Sequence, residues 1–155
     1  MNESILKDMF KRSVRHDGGF AESISSNIRS GLPDLLVIPQ GRPPIVVEAK
    51  FIKIANIHKF SRKIDYSAMQ INFMNGANKA CECSALGLVG FVYEKQIYAC
   101  LIHPSYAKID SKFRSYTSYS FVTAQNQFFD VSSMFAKLND MKIASQTIPE
   151  VRYAI

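Results

Sequence analysis

Asp34, Glu48 and Lys50 are the residues of this sequence whose types and spacing best suit a reaction. Asp34 follows Gly31-Leu32-Pro33 and opens the apolar run Leu35–Ile38, while Glu48 and Lys50 stand just beyond the next such run, Ile45–Val47. Side chains alternate along a strand, so Glu48 and Lys50 share a face and Ala49 points away. If the two runs pair, Asp34 lies beside Glu48. Two carboxylates converging on a partly dry sheet edge repel and shift each other's pKa unless a divalent cation stands between them. That is a hard-metal site. Mg²⁺ is held by one or two carboxylates plus waters, which leaves positions for a phosphate oxygen and an attacking water; Mn²⁺ is the expected substitute. Lys50 then offsets charge in a phosphoryl transition state or orients the water. The competing reading has Asp34 capping a turn and Glu48 with Lys50 as a solvated pair on an edge strand. A run as apolar as Ile45–Val47 is better placed in the middle of a sheet, where two charges need a reason.

The elements that must position these residues follow from periodicity. Ile5, Leu6, Met9, Phe10 and Val14 recur at spacings of three and four, which predicts an amphipathic helix from Asn2 to about Val14, stopped by His16-Asp17-Gly18-Gly19. Phe20 to Ile28 reads as a weak strand followed by loop. Leu35–Ile38 and Ile45–Val47 read as neighbouring strands joined through the turn Gln40-Gly41-Arg42-Pro43-Pro44. Ile52 to Lys63 is basic and aperiodic, a loop. Asp65 is expected to cap a helix running to about Ala80, with Met69, Phe73 and Ala77 in one row and Gln70 beside it. Ala85–Tyr93 and Gln96–Ile102, split by Glu94-Lys95, give the clearest strand pair, ended by His103-Pro104. A further strand is expected at Tyr119–Thr123 and a helix from Ser132 to about Met141. The order of elements predicts an α/β fold, a mixed central sheet flanked by helices.

Composition sets the outer bounds. With 155 residues, 47% hydrophobic and 21% charged, the chain has material for one compact core, and a single domain over 1–155 is expected. The excess of 19 Lys+Arg over 13 Asp+Glu gives a net charge of +6, which favours an anionic partner such as nucleic acid. No apolar run approaches the roughly 18 residues that span a bilayer, and Met-Asn-Glu-Ser lacks the basic-then-apolar order of a signal peptide; no membrane partner and a cytoplasmic location are expected. Cys81, Cys83 and Cys100 make no closed disulfide set and are one short of a four-thiolate metal site. His16, His58 and His103 show no ligand spacing.

Gly31-Leu32-Pro33-Asp34 with Glu48-Ala49-Lys50 resembles the signature of the PD-(D/E)xK nuclease superfamily, and within it the Holliday-junction resolvases of the archaeal and RecU types. Leu86–Phe91, Tyr98 and His103-Pro104 are similar to the strand pair of the RecU type, so the resemblance covers about residues 3 to 104. It implies a restriction-endonuclease-like fold and a Mg²⁺-dependent endonuclease acting on branched DNA. It also implies that Asp34, Glu48 and the Ala49 carbonyl bind metal, that Lys50 is catalytic, and that Gln70 supports the lysine or the phosphate. Glu3 would be the helical acid completing the site, with Glu22 competing for that role. Virus-type replication-repair nuclease domains share the pattern. Nucleases of single strands, flaps or short duplex sites would use the same residues, while a non-catalytic DNA-binding module would keep only the basic surface.

Two groups of cations are candidates for phosphate contacts: Lys7, Lys11 and Arg15 on the first helix, and Lys53, Lys59, Arg62 and Lys63 in the loop after the Glu48 strand. Resolving a four-way junction takes two symmetric cuts, which predicts a homodimer. Phe113, Phe121, Phe128, Phe129, Met134 and Phe135 are apolar material either for that contact or for completing the core.

Overall fold

Helix α1 (Glu3–His16) forms because Leu6, Met9, Phe10, Ser13 and Val14 fall on one stripe, and all five are buried. Asn2 caps it by accepting the Ile5 N–H at 3.0 Å, and Arg15 and His16 occupy the last turn, where the helix dipole favours cations. Ile5 lies at the margin of the stripe and is largely exposed. The computed structural model describes residues 2–25, 31–111, 122–123 and 128–138.

Among the described residues eight strands follow the helix: β1 (Phe20–Ser23), β2 (Leu35–Ile38), β3 (Ile45–Phe51), β4 (Ser61–Lys63), β5 (Ala85–Tyr93), β6 (Gln96–Ile102), β7 (Lys108–Asp110) and β8 (Val122–Thr123). Six form one sheet in the order β1-β2-β3-β5-β6-β8, and β4 pairs with β7 in a separate two-stranded ribbon. The β2–β3 hairpin is antiparallel, with Leu36 opposite Val46, as the two apolar runs predict. The β3–β5 pair is parallel, so the chain must cross over between them, and it does so through β4 and helix α2 (Ala68–Ala80). Burial on both faces explains why β5 is apolar without alternation from Ala85 to Phe91. The result is the expected α/β architecture, a mixed central sheet flanked by helices.

Core packing divides between the two faces. Leu6, Phe10, Leu35, Val37, Val47, Ala49, Leu86 and Leu88 join α1 to one side of the sheet. Helix α3 (Val131–Ala136) completes that side, with Phe135 edge-on to Phe10 at 6.3 Å and the Phe129 N–H donating to Ser13 Oγ at 2.9 Å. On the other side, Ile71 and Met74 of α2 pack against Ala85 and Val46. Asn78 pins α2 to the start of β5, its amide exchanging hydrogen bonds with the Ala85 N–H and carbonyl at 2.8 and 2.9 Å.

Four local expectations change. The basic segment ends in β4 rather than continuing as loop, because its partner β7 lies far along the chain and leaves no local signal. The cap of α2 is Ser67, not Asp65, and the buried row is Ile71 and Met74, leaving Met69 at 49% exposure. That face is selected by Val46 and Ala85 beneath it, not by the helix sequence alone. The last helix spans Val131–Ala136 and is capped by Lys137, so it stops short of the expected end; residues 139–141, like 119–121 of the expected strand and 26–28 of the stretch read as a weak strand followed by loop, lie outside the described residues. Of the apolar set offered for a dimer contact, Phe129, Met134 and Phe135 are buried and Phe128 stacks on His16 at 4.4 Å. Phe129, Met134 and Phe135 complete the core, and Phe128 is half-buried. Phe113 and Phe121 lie outside the described residues.

Candidate active site

Asp34 stands one residue before β2, and its carbonyl still accepts the Ile24 N–H of the neighbouring segment at 2.8 Å. The turn that delivers it needs Gly31: the backbone there has φ +84°, and an added Cβ would stand 2.6 Å from Met69 Cβ at the start of α2. That close approach brings the Asp34 turn and α2 together over β3. The Asp34 carboxylate reaches across to β3, where its Oδ2 accepts the Ala49 N–H at 2.9 Å. Its Oδ1 lies 3.5 Å from Lys7 Nζ.

Glu48 is 3% exposed and sits opposite Gly87 on β5. Any side chain at Gly87 would collide with the Tyr66 hydroxyl, so the glycine lets the Tyr66 ring lie against the sheet beside Glu48. Lys50 shares the face of Glu48, with Nζ 3.7 Å from Glu48 Oε1 and 5.9 Å from the centre of the Tyr66 ring. Gln70, in the first turn of α2, donates from Nε2 to the same Oε1 at 2.6 Å. Glu48 Oε2 is buried and has no hydrogen-bond donor among the described residues.

The electrostatics follow from this crowding. Burial first, then the adjacent Asp34 carboxylate, push the Glu48 carboxyl up to about 8, against a downward pull from Lys50; Glu3 adds a smaller upward push. The residues fit a divalent cation. Asp34, Glu48 and the Ala49 carbonyl offer hard oxygen donors, and the orphaned Oε2 with its like-charged neighbour marks a deficit of positive charge. Among the described residues, however, no set of three acids, histidines or cysteines closes around one point. Glu3 lies near enough to push on the Glu48 carboxyl but does not form such a set with it. It is exposed in the first turn of α1, where a negative charge suits the helix dipole. Glu22 is also exposed and pairs with Arg15 at 2.9 Å.

The structure thus brings Asp34, Glu48, Lys50 and Gln70 together. It also adds residues that the sequence did not mark. Tyr66 carries no local signal, because its role depends on the missing side chain at Gly87. Ser67 did carry one: Ser67-x-x-Gln70 is a capping-box pattern, and both reciprocal hydrogen bonds form. Lys7, one of the candidates for phosphate contacts, pairs with Asp34. Lys11 is engaged by Asp8 at 3.5 Å and Ser23 Oγ at 2.9 Å, and Arg15 by Glu22 and the Ala21 carbonyl. Lys53, Lys59, Arg62 and Lys63 are all exposed. His103 is held by Ser105, with its pKa lowered by burial, and Cys81, Cys83 and Cys100 are free thiols, in line with structural roles for these residues. No helix among the described residues is long and apolar enough to cross a membrane.

No protein-family model matches the chain, and no curated protein matches it. Among solved structures, the chain is similar to Archaeoglobus fulgidus Hjc, a Holliday junction resolvase from an archaeal hyperthermophile, with 14% sequence identity and a TM-score of 0.48 over 69% of this chain and 85% of that one.

Proposed function

We propose that this protein is a divalent-metal-dependent endonuclease that hydrolyses DNA phosphodiesters, with four-way junctions and related branched DNA as its substrates. The observation that carries the reading is the buried Glu48, held by Gln70 and Lys50 through one oxygen, with its other oxygen given no donor and the Asp34 carboxylate close by. A carboxyl in that state disfavours its own charge, and a fold keeps such a residue where the charge has a use.

Asp34, Glu48 and the Ala49 carbonyl would hold Mg²⁺ or Mn²⁺. Such a cation supplies Lewis acidity toward a phosphodiester oxygen and toward water. The chain's own groups do the rest. Hydrolysis joins a water oxygen to phosphorus and breaks one P–O ester bond, and the negative charge that builds on the phosphoryl oxygens needs a fixed cation. Lys50 is held for this by Glu48 on one side and the Tyr66 ring face on the other. Gln70 fixes the orientation of Glu48, and the Ala49 N–H fixes that of Asp34.

The preference for branched DNA is supported by the resemblance of Gly31–Asp34 and Glu48–Lys50 to the resolvases. Cleavage of a matched panel of junction, flap, duplex and single-stranded DNA in Mg²⁺ tests both levels. Junction cleavage above all other substrates supports the full reading. Preferential cutting of flaps or single strands keeps the nuclease and replaces its substrate. No cleavage in Mg²⁺ or Mn²⁺ rejects the enzyme.

A further inference from the structure

Lys63 and Lys108 are direct partners across the β4–β7 ribbon, in the same register that sets Arg62 opposite Ile109. Both lysines are exposed, and neither makes an ion pair among the described residues. Like charges directly opposite one another on paired strands destabilise the pair. The first-helix cations Lys7, Lys11 and Arg15 are each matched by an acid, whereas Lys53, Lys59, Arg62, Lys63 and Lys108 are not. The ribbon itself carries three cations, Arg62, Lys63 and Lys108, against the single acid Asp110.

That element is firmly built. Ile64 and Ile109 are buried under it, the Ile64 N–H donates to the Ala107 carbonyl at 2.9 Å, and the Ser111 N–H donates to the Phe60 carbonyl at 3.0 Å. It is also tied to the candidate site at both ends. The segment that forms β4 leaves the site at Lys50 and returns to it at Tyr66, and those two side chains meet. Two residues, Ile64 and Asp65, lie between Lys63 and Tyr66, so the two are at most about 10 Å apart along the chain. Phosphates along one strand of DNA succeed one another every 3.4 Å or so of axial rise, so this limit corresponds to at most about three nucleotides.

We propose that the β4–β7 ribbon is a seat for the phosphate backbone of DNA, with Lys63 and Lys108 gripping a common phosphate a few nucleotides from the scissile bond. This deepens the nuclease reading and rests on it for the identity of the polymer. Lys108 is part of the seat although it lies outside the basic segment 53–63. A membrane surface is the less suitable occupant, because the large exposed apolar side chains of the described residues, Ile5, Phe20, Ile38 and Met69, all lie off the ribbon.

The test is fluorescence anisotropy with labelled four-way junction and duplex DNA, without divalent metal, as a function of salt. Lys63→Gln, Lys108→Gln and the double variant are compared with Lys95→Gln, an equal loss of charge at the exposed β5–β6 turn. Each single ribbon variant is expected to weaken binding roughly three- to tenfold and to reduce the slope of log K against log salt by about one, and the double variant to lose less than the product of the two. Lys108→Arg should bind like the parent. Melting temperatures should hold or rise in Lys108→Gln, because a repulsion is removed.

Affinities and slopes no different from Lys95→Gln overturn the seat. So does a fall in melting temperature that accompanies the loss of binding and is not restored by Lys108→Arg. Loss of binding to phosphatidylserine vesicles with unchanged DNA binding assigns the ribbon to membranes instead and also overturns it. Because the probe is binding without metal, failure here is separable from failure of the nuclease. Ribbon variants that bind and cut like the parent reject the seat alone, and expected binding without any cleavage in Mg²⁺ rejects the enzyme alone.

Discussion

Gln70 Nε2 donates to Glu48 Oε1 at 2.6 Å from an amide whose orientation is fixed by the helix that carries it. Gln70 Oε1 accepts the Ser67 N–H at 2.9 Å, and the Gln70 N–H donates to Ser67 Oγ at 3.1 Å. With its oxygen committed to the cap, the amide can present only its NH₂ to the carboxyl. The local signal that starts α2 thereby orients a site residue. Ser67→Ala should cost about 1 kcal/mol of stability through the lost cap. It should also lower kcat severalfold with little change in KM, because the first turn that carries Gln70 loses the bond from its own backbone N–H and loosens, although the Gln70 side-chain oxygen keeps the residue-67 N–H. Ser67→Thr, which restores the hydroxyl, should recover both. Steady-state cleavage alongside thermal melts checks this, and a Ser67→Ala variant destabilised but unchanged in kcat would confine the residue to capping.

Asp34→Asn, Glu48→Gln and Lys50→Ala should each reduce cleavage in Mg²⁺ by about 10³-fold or more, with the circular dichroism spectrum unchanged. The first two remove a hard anionic donor, and the third removes the cation that balances transition-state charge. Because the three act as one unit, a double variant should be scarcely worse than a single. Full activity of Glu48→Gln would sink the site assignment.

The raised Glu48 pKa makes a prediction about stability with a definite sign. Its carboxyl holds its proton up to about pH 8 in the fold, against an ordinary value of 4.5. Between these two limits the unfolded chain releases a proton that the folded chain keeps, so folding loses stability as pH rises through the window and is level above it. Glu48→Gln removes that dependence. Without metal, the variant should melt close to the parent at pH 4 and several degrees above it at pH 8, at roughly 2–4 °C per kcal/mol for a domain of this size. Mg²⁺ should raise the melting temperature of the parent at pH 8 and leave Glu48→Gln nearly unmoved. Superimposable pH curves for parent and variant would refute the strained carboxyl.

The part of the site that was legible in the sequence is the part written in short range. Asp34 before one apolar run and Glu48 with Lys50 after the next specify a hairpin, and the hairpin forms in the register that sets Leu36 opposite Val46. Gln70 was visible as a residue at the start of a helix. What stayed hidden depends on partners distant in sequence. Tyr66 lies beside Glu48 only because Gly87 has no side chain, and β4 is a strand only because β7 lies beside it. The role of Lys7 depends on α1 docking across the end of β2, where its charge meets Asp34. Arg15, offered for phosphate contacts, is held by Glu22 and the Ala21 carbonyl, partners that the helix pattern did not mark.

A homodimer is expected on a four-way junction, and the reason lies in the substrate. Resolution takes two cuts related by a two-fold axis, and each chain brings Asp34, Glu48 and Lys50 together once. Two copies in isologous contact place two such sites in the required relation. Phe129, Met134 and Phe135 are spent on the core and Phe128 is stacked on His16, so the contact has to come from elsewhere on the chain. Its strength is therefore expected to depend on DNA. Light scattering should give two protomers per junction at micromolar concentration, and mixing parent with Lys50→Ala should yield complexes that nick one strand of the symmetric pair and leave the other intact. One protomer per junction with complete resolution would refute the dimer. A strict monomer that leaves junctions uncut but trims flaps or single strands would instead match the substrate to an enzyme for which one cut is enough.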